Sequence, residues 1–309
     1  MANRQQNLRA VDPVLSSLAV GYSNADYIAE TLFPMARVPK EAGKIPRHNK
    51  QAFKLFSTER ALRAASNLVK PEDRTFIDFS LDEHDISVPM DYREETESDD
   101  LDLQASNAIL AQEGIQLRRE KTCADLAFDP AQYASSNKTT LGTTDKFSSD
   151  TSPIFDIIAT GHEAVRKNIA RRANTIACGA SGYAKLRNHP KVLERLTYAQ
   201  LGLVTPQLLA QLFDVKQFIV GDAIWVSDDG QTTNDVWGDS LLLAYVRPPQ
   251  PGVKRSVYEP NFGYTLYKQS VEVDTYLGEG GKLKYTRNTM IYKPVLVGAD
   301  AGYLISDVV

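Results

Sequence analysis

The sequence is poor in the residues that build chemistry: 309 residues hold 2 Cys, 4 His, 2 Trp and 4 Met. Two thiols exclude a disulfide-stapled secreted scaffold and fit a reducing compartment. Cys123 and Cys178 lack CxxC partners, and His48, His84, His162 and His189 are scattered without metal-site spacing, so no zinc centre is expected. Long hydrophobic runs are absent as well. The longest uncharged stretch, residues 196–213, contains Gln200, Pro206, Gln207 and Gln211, amides that a bilayer would penalise. The opening Met-Ala-Asn-Arg-Gln-Gln-Asn is polar and leads into no apolar core of the signal-peptide type. No membrane span and synthesis in a cytoplasm are the expectations.

What is present is ordinary in bulk and uneven in distribution. At 42% hydrophobic and 24% charged, the chain is globular, with one large or two modest domains. Its net charge of −4 excludes a histone-like condenser of nucleic acid. That near-neutral total conceals a basic residue block 1–74, net +5, followed by block 75–156, net −12, and block 157–309, net +3. Such runs are usually solvated faces; the sharper reading lays the basic segment of one chain across the acidic segment of another.

Along the chain, residues 1–40 read as an arm. Short apolar groups (Val11, Val14, Leu15, Leu18, then Ile28, Leu32, Phe33) are broken by Pro13, Pro34 and Pro39. The arm cannot form its own core and should order against a neighbouring surface, on the same chain or another. Residues 41–92 read as a two-armed β-excursion with some helix at a tip around 55–70. Ile77, Phe79 and Leu81 alternate with Asp78, Ser80 and Asp82, the period of a half-buried strand. From Ser98 the pattern becomes helical and runs to Phe128, where Asp129-Pro130 stops it. Leu103, Leu110, Leu117 and Ala124 recur as an apolar stripe, and the helix, at about 1.5 Å per residue, reads as a strut of about 43 Å.

Residues 153–252 alternate helices and strands and predict a compact α/β lobe: helices over 154–171, 180–196 and 206–213, strands over 174–179, 218–226 and 241–246. Arg247-Pro-Pro-Gln-Pro-Gly252 is a stiff exit, and the remainder, over 263–268, 271–276, 282–292 and 302–306, is β.

The search for a catalytic constellation returns little. Cys178-Gly-Ala-Ser-Gly182 lies between strand and helix, where a hydrolase elbow holds its serine, but Tyr183 stands where the elbow needs its last glycine and His189 follows too closely. Gly278-Glu-Gly-Gly-Lys282 lacks the first glycine and the Ser/Thr of a phosphate loop and reads as a hairpin turn. Glu83-His84-Asp85 on a strand cannot converge on a metal. Glu94, Glu95, Glu97, Asp99 and Asp100 form the best cation cluster, with an acidic helix start as the plain account. No cofactor or metal is expected, and no helix carries a dense Lys/Arg stripe for nucleic acid.

An arm, a basic β-excursion, an acidic strut, an α/β lobe and a returning β tail, in that order, resemble the major capsid proteins of tailed bacteriophages with the Hong Kong 97-type α+β fold. Asp12-Pro-Val-Leu, Gly21-Tyr-Ser-Asn, Leu32-Phe-Pro34 and Gly43-Lys-Ile-Pro46 are similar to the openings of such coat proteins. So are Asn188-His-Pro-Lys-Val-Leu-Glu-Arg195, Asp235-Val-Trp-Gly238, Glu259-Pro-Asn-Phe-Gly-Tyr264 and Leu296-Val-Gly-Ala-Asp-Ala-Gly-Tyr303. The resemblance spans essentially the whole chain. It implies an N-terminal arm (1–40), an E-loop (41–92), a P-domain in two parts (93–152, with the spine helix 98–128, and 253–297), an A-domain (153–252) and a last strand (298–309) returning to it.

The same resemblance implies a non-enzymatic subunit of hexamers and pentamers in an icosahedral head around double-stranded DNA. Such a subunit is a virion component assembled in the host bacterial cytoplasm. A separate scaffolding protein, a portal, weak non-specific contact with packaged DNA and a possible decoration protein are the further partners. Lys44, Arg47, Lys50, Lys54, Arg60 and Arg63 of one E-loop would meet Glu94, Glu95, Glu97, Asp99, Asp100 and Asp102 of a neighbour. Some relatives crosslink through a Lys–Asn isopeptide bond; Lys44, Lys50, Lys54 and Asn288 lie in suitable regions but match no such motif. The alternatives are an encapsulin-like nanocompartment shell and, from a different class, an α/β hydrolase using Ser181.

Overall fold

The computed structural model describes residues 11–21, 27–47, 55, 58–68, 76–97, 100–197, 204–227, 230–249 and 255–309. The first half contains α1 (Pro13–Gly21), α2 (Ala29–Leu32), β1 (Met35–Arg37), β2 (Ala42–Pro46), β3 (Phe76–Ser80), β4 (Asp82–Asp91), α3 (Tyr92–Glu97), α4 (Asp100–Phe128) and β5 (Lys138–Thr140). Then come α5 (Ile154–Ile169), β6 (Thr175–Gly179), α6 (Ala180–Asn188), α7 (Pro190–Thr197), α8 (Pro206–Leu212), β7 (Gln217–Gly221), β8 (Ile224–Val226) and β9 (Thr233–Asp235). The chain closes with β10 (Leu241–Ala244), β11 (Gly263–Leu277), β12 (Leu283–Leu296) and β13 (Gly302–Ser306).

Two sheets organise these elements. In the first, the order is β1-β11-β12-β4. The sequence reading divided β11 into two strands; the structure has one, with register shifts between Tyr267 and Glu272. Its hairpin to β12 turns at Gly280 and Gly281, whose φ of 80° and 68° suit glycine. The α4 helix packs on β12 and β4.

The buried face of α4 follows the heptad stripe only in part: Ala124 is buried and Leu117 packs against the main core. Leu110 is 59% exposed, whereas Ala108, Ala111, Ile115, Cys123 and Ala127 are buried. A straight helix drifts about 20° per heptad from a seven-residue repeat, so a stripe spaced by sevens winds away from any flat partner. Small side chains instead let the helix approach the sheet; a Cβ on Gly114 would lie 2.6 Å from Cδ1 of Ile86.

The second sheet has the order β5-β13-β10-β6-β7. Strands β6 and β7 are parallel, β10 runs antiparallel to β6 and β13, and β13 is parallel to β5. All four side chains of β10 and all five residues of β6 are buried, as expected for strands covered on both faces. The helical elements follow their local signals: Pro190 separates α6 from α7, and Thr205 Oγ1 caps α8 by accepting from Leu208 N. The expected strand over 218–226 is interrupted at Asp222–Ala223, because the Ala223 carbonyl turns to accept from Val236 N at 2.9 Å.

The described part of the arm packs on its own subunit. Asp12 Oδ1 accepts from Val14 N (2.8 Å) and Leu15 N (3.1 Å) to start α1, with Pro13 suited to the first turn. Leu15 and Ala19 pack with Ala108, Ile115 and Val273. Ile28, Ala29, Leu32 and Phe33 enter the main core. The described part of the arm is thus completed largely by this chain, while Val14 (69% exposed) and Val20 (59% exposed) still face outward. Strands β2 and β3 pair antiparallel at the base of the excursion. Residues 58–68 carry a turn and no helix, contrary to the expected helical tip.

Candidate functional site

Of the charged residues singled out from sequence, Lys44, Arg60 and Glu94 are exposed and take local partners. Lys44 Nζ is 3.5 Å from Asp78 Oδ1 across the β2–β3 pair. Arg60 Nη1 donates to the Ala64 carbonyl at 2.6 Å, and Arg47 and Arg63 are exposed. Glu94 Oε2 accepts from Asp91 N at 3.0 Å, and Glu97 is exposed. Lys50, Lys54 and Asp99 lie outside the described residues. Glu95 falls in α3, and Asp100 and Asp102 fall in α4. Asn288, considered for crosslinking, is fully buried and donates through Nδ2 to the Ala108 carbonyl at 2.8 Å, so the subunit keeps it from a neighbour's lysine.

The weak chemical motifs resolve into structure. Ser181 sits in the first turn of α6, and the nearby His189 uses Nε2 toward the Ser149 carbonyl and Nδ1 toward Lys191 N. The His84 ring stacks on Tyr292 at 4.3 Å, and burial lowers its pKa from the usual histidine value. Among the described residues no group of three His, Cys, Asp or Glu could hold a metal ion.

The polar centre that sequence reasoning missed is Glu120, fully buried in the middle of α4. Its Oε1 accepts from Ile28 N at 2.8 Å and from Trp237 Nε1 at 2.7 Å, and Oε2 accepts from Ala29 N at 2.9 Å. One carboxylate therefore ties the start of α2, the strut and the loop before β10. Every donor is an N–H that can only donate, so these hydrogen bonds by themselves favour the ionised form. Burial, the largest influence, raises the Glu120 pKa; the bonds from Ile28, Trp237 and Ala29 and the charge of Arg119 pull it back in part.

The surroundings hold the indole in place. Trp237 is fully buried and meets Phe128 edge-on at 5.3 Å. A Cβ on Gly221 would stand 2.2 Å from Trp237 Cδ1, and one on Gly179 would stand 2.0 Å from the Gly238 carbonyl oxygen. Only glycine fits at either strand end. No local spacing announces this hub, since Glu120 lies 91 to 117 residues from its donors. The one sequence signal was Asp235-Val-Trp-Gly238, read as a family resemblance and now given a physical role. An acceptor saturated by structural donors has no lone chemistry to offer a substrate; the hub fixes the relative placement of three parts of the chain.

Comparison with known proteins agrees with a surface-based function. The family model described as phage major capsid protein E matches residues 102–261. A major capsid protein of Burkholderia phage BcepMu is 48% identical over 306 residues, covering 99% of each chain. A crystal structure of a phage-related protein from Bordetella bronchiseptica superposes with a TM-score of 0.81 at 28% identity, over 97% of this chain and 98% of that one. The capsid structure of cyanophage P-SCSP1u shares the fold alone, with a TM-score of 0.57 at 10% identity over 93% and 89% of the two chains.

Proposed function

This chain belongs to the phage major capsid protein family, and from that premise we propose how its surface is used in building a shell. It is a structural virion protein of a tailed phage with the Hong Kong 97-type α+β fold, not an enzyme, and it assembles with copies of itself. We assign residues 1–40 to the arm, 41–92 to the E-loop, 93–152 and 253–297 to the P-domain, 153–252 to the A-domain and 298–309 to the returning strand.

In our reading, hexameric and pentameric capsomers form when the basic excursion of one subunit crosses the acidic head of the strut next door. The observation that carries it is the separation of charge on exposed elements: Lys44, Arg47, Arg60 and Arg63 on one side, Glu94 and Glu97 on the other. Exposed pairs contribute roughly 0–1 kcal/mol each, too little to fold a subunit and suited to steering and register when many act together. We also infer a separate scaffolding protein, a portal, a decoration protein, packaged double-stranded DNA and assembly in the host bacterial cytoplasm. Near-half identity to a phage major capsid protein over almost the whole chain favours a phage head over an encapsulin-like compartment.

The test is assembly followed by negative-stain microscopy. Lys44→Glu with Arg60→Glu and Arg63→Glu is expected to reduce closed shells, most strongly at low salt, where screening is weakest. Adding Glu94→Lys and Glu97→Lys is expected to restore them in part. Normal shells from the first variant at every ionic strength overturn the assignment.

A further inference from the structure

We infer that a cationic cleft between the arm, the second sheet and the exit from β10 binds the phosphate groups of a nucleic-acid backbone. The inference rests on the capsid reading, because a head protein works beside packaged nucleic acid.

Two hollows adjoin and share Asn174, Lys216 and Pro248. The first, of about 410 Å³, is lined by Arg247, Arg255 and Glu30 among others. The second, of about 610 Å³, is lined by Arg171, Arg172, Asp214 and Tyr245 among others. Several of these charges are already matched. Arg172 pairs with Asp214, Arg247 Nη1 lies 2.8 Å from Glu259 Oε1, and Glu30 Oε2 lies 3.7 Å from Arg119 Nη2.

Three cations remain without a carboxylate partner among the described residues: Arg171, Lys216 and Arg255. Arg171 is held in place, its guanidinium 5.2 Å from the Tyr245 ring centre with Nη1 donating to the Tyr245 hydroxyl. Its other face is exposed, as is Lys216. Arg255 Nη1 is buried and lacks any hydrogen-bond partner. A buried orphaned donor is costly and rare, and Arg255 lines the first hollow, so a small turn of its guanidinium would let an anion there satisfy it.

The lining favours a repeated, compact anion over an acidic peptide. Peptide recognition draws most of its affinity from apolar anchors in pockets. Here Ala173 and Val246 are buried, and the guanidinium of Arg171 covers the ring of Tyr245. Lys216 stands between the two hollows, so successive phosphates of one strand would find cations on either side. With no free aromatic face among the described lining residues to stack a base, contact would be to the backbone and indifferent to sequence.

The test uses the full chain as unassembled capsomers and a short fluorescent DNA duplex read by anisotropy across a salt series. Each phosphate contact contributes about 0.9 to the slope of log affinity against log salt, so Lys216→Ala is expected to lower that slope by about 1. Arg171→Glu with Lys216→Glu is expected to weaken duplex binding at least tenfold at low salt, while Lys185→Glu on α6 leaves it unchanged. Both cleft side chains are exposed, and shells formed normally by the double variant separate this inference from the assembly reading. Absent duplex binding by the natural chain, or equal binding by the double variant, overturns it. Displacement of the duplex by polyglutamate as readily as by unlabelled DNA also overturns it and assigns the cleft to an acidic protein segment.

Discussion

Replacing Glu120 tests the central claim that one buried acceptor joins three parts of the subunit. Glu120→Ala leaves Ile28 N, Ala29 N and Trp237 Nε1 without their acceptor in a site closed to water. At roughly 1–3 kcal/mol per orphaned buried donor, the expected loss is about 3–9 kcal/mol, a large part of the 5–15 kcal/mol that holds an ordinary domain together. Glu120→Gln is the more informative variant. Its shape is retained, and its oxygen still serves Ile28 and Trp237, but its amide now points N–H at N–H toward Ala29, at an expected cost of about 1–3 kcal/mol. Denaturant unfolding of the unassembled chain, followed by tryptophan fluorescence, measures both.

Trp237→Phe and the double variant close a thermodynamic cycle, for which direct contact predicts a coupling of at least about 0.5 kcal/mol. Additive effects, or a Gln variant indistinguishable from the natural chain at neutral pH, refute the reasoning. The pH dependence adds an independent sign. Burial raises the folded pKa above the ordinary glutamate value of 4.5, so the folded state holds the proton more tightly than the unfolded one. Stability from this group is fully present below the unfolded pKa and is lost as pH rises through the folded one. The natural chain's advantage over Glu120→Gln should therefore grow on acidification from neutrality toward the unfolded pKa; a shrinking advantage contradicts the direction.

Two further expectations follow from packing. Gly221→Ala places a methyl 2.2 Å from Trp237 Cδ1, and overpacking of this kind is expected to cost about 1–3 kcal/mol or more, read as a lower denaturation midpoint. On α4, Leu110→Ala should change subunit stability by less than about 0.5 kcal/mol because the side chain faces outward, whereas Ala111→Leu should cost about 1–3 kcal/mol against the sheet. A larger loss for Leu110 than for Ala111 restores the leucine stripe as the buried face.

Much of the architecture is written in short-range signals. Asp129-Pro130 ends α4, Pro190 splits the lobe helices, and Thr205-Pro206 starts α8, each through constraints that act within a turn. Alternation over 77–81 marks β3 for the same reason. What sequence reading misplaced depends on partners distant along the chain. Leu110 looks like part of a core stripe until the flat partner of α4 is known, and Gly114 shows how close that partner comes. Glu120 looks like one more charge on an acidic strut, because its donors come from Ile28, Ala29 and Trp237. Likewise, Arg171, Lys216 and Arg255 converge only when β6, β7 and the exit from β10 are brought side by side.

The spread of donors around Glu120 also sets an order on synthesis. A ribosome delivers Ile28 and Ala29 first, then the glutamate, and the indole only 117 residues after that. Until then the strut carries a thirsty carboxylate on the side that must later become dry. Water has reason to linger there, and the half-made molecule cannot present a finished exterior to its siblings before most of its translation is complete.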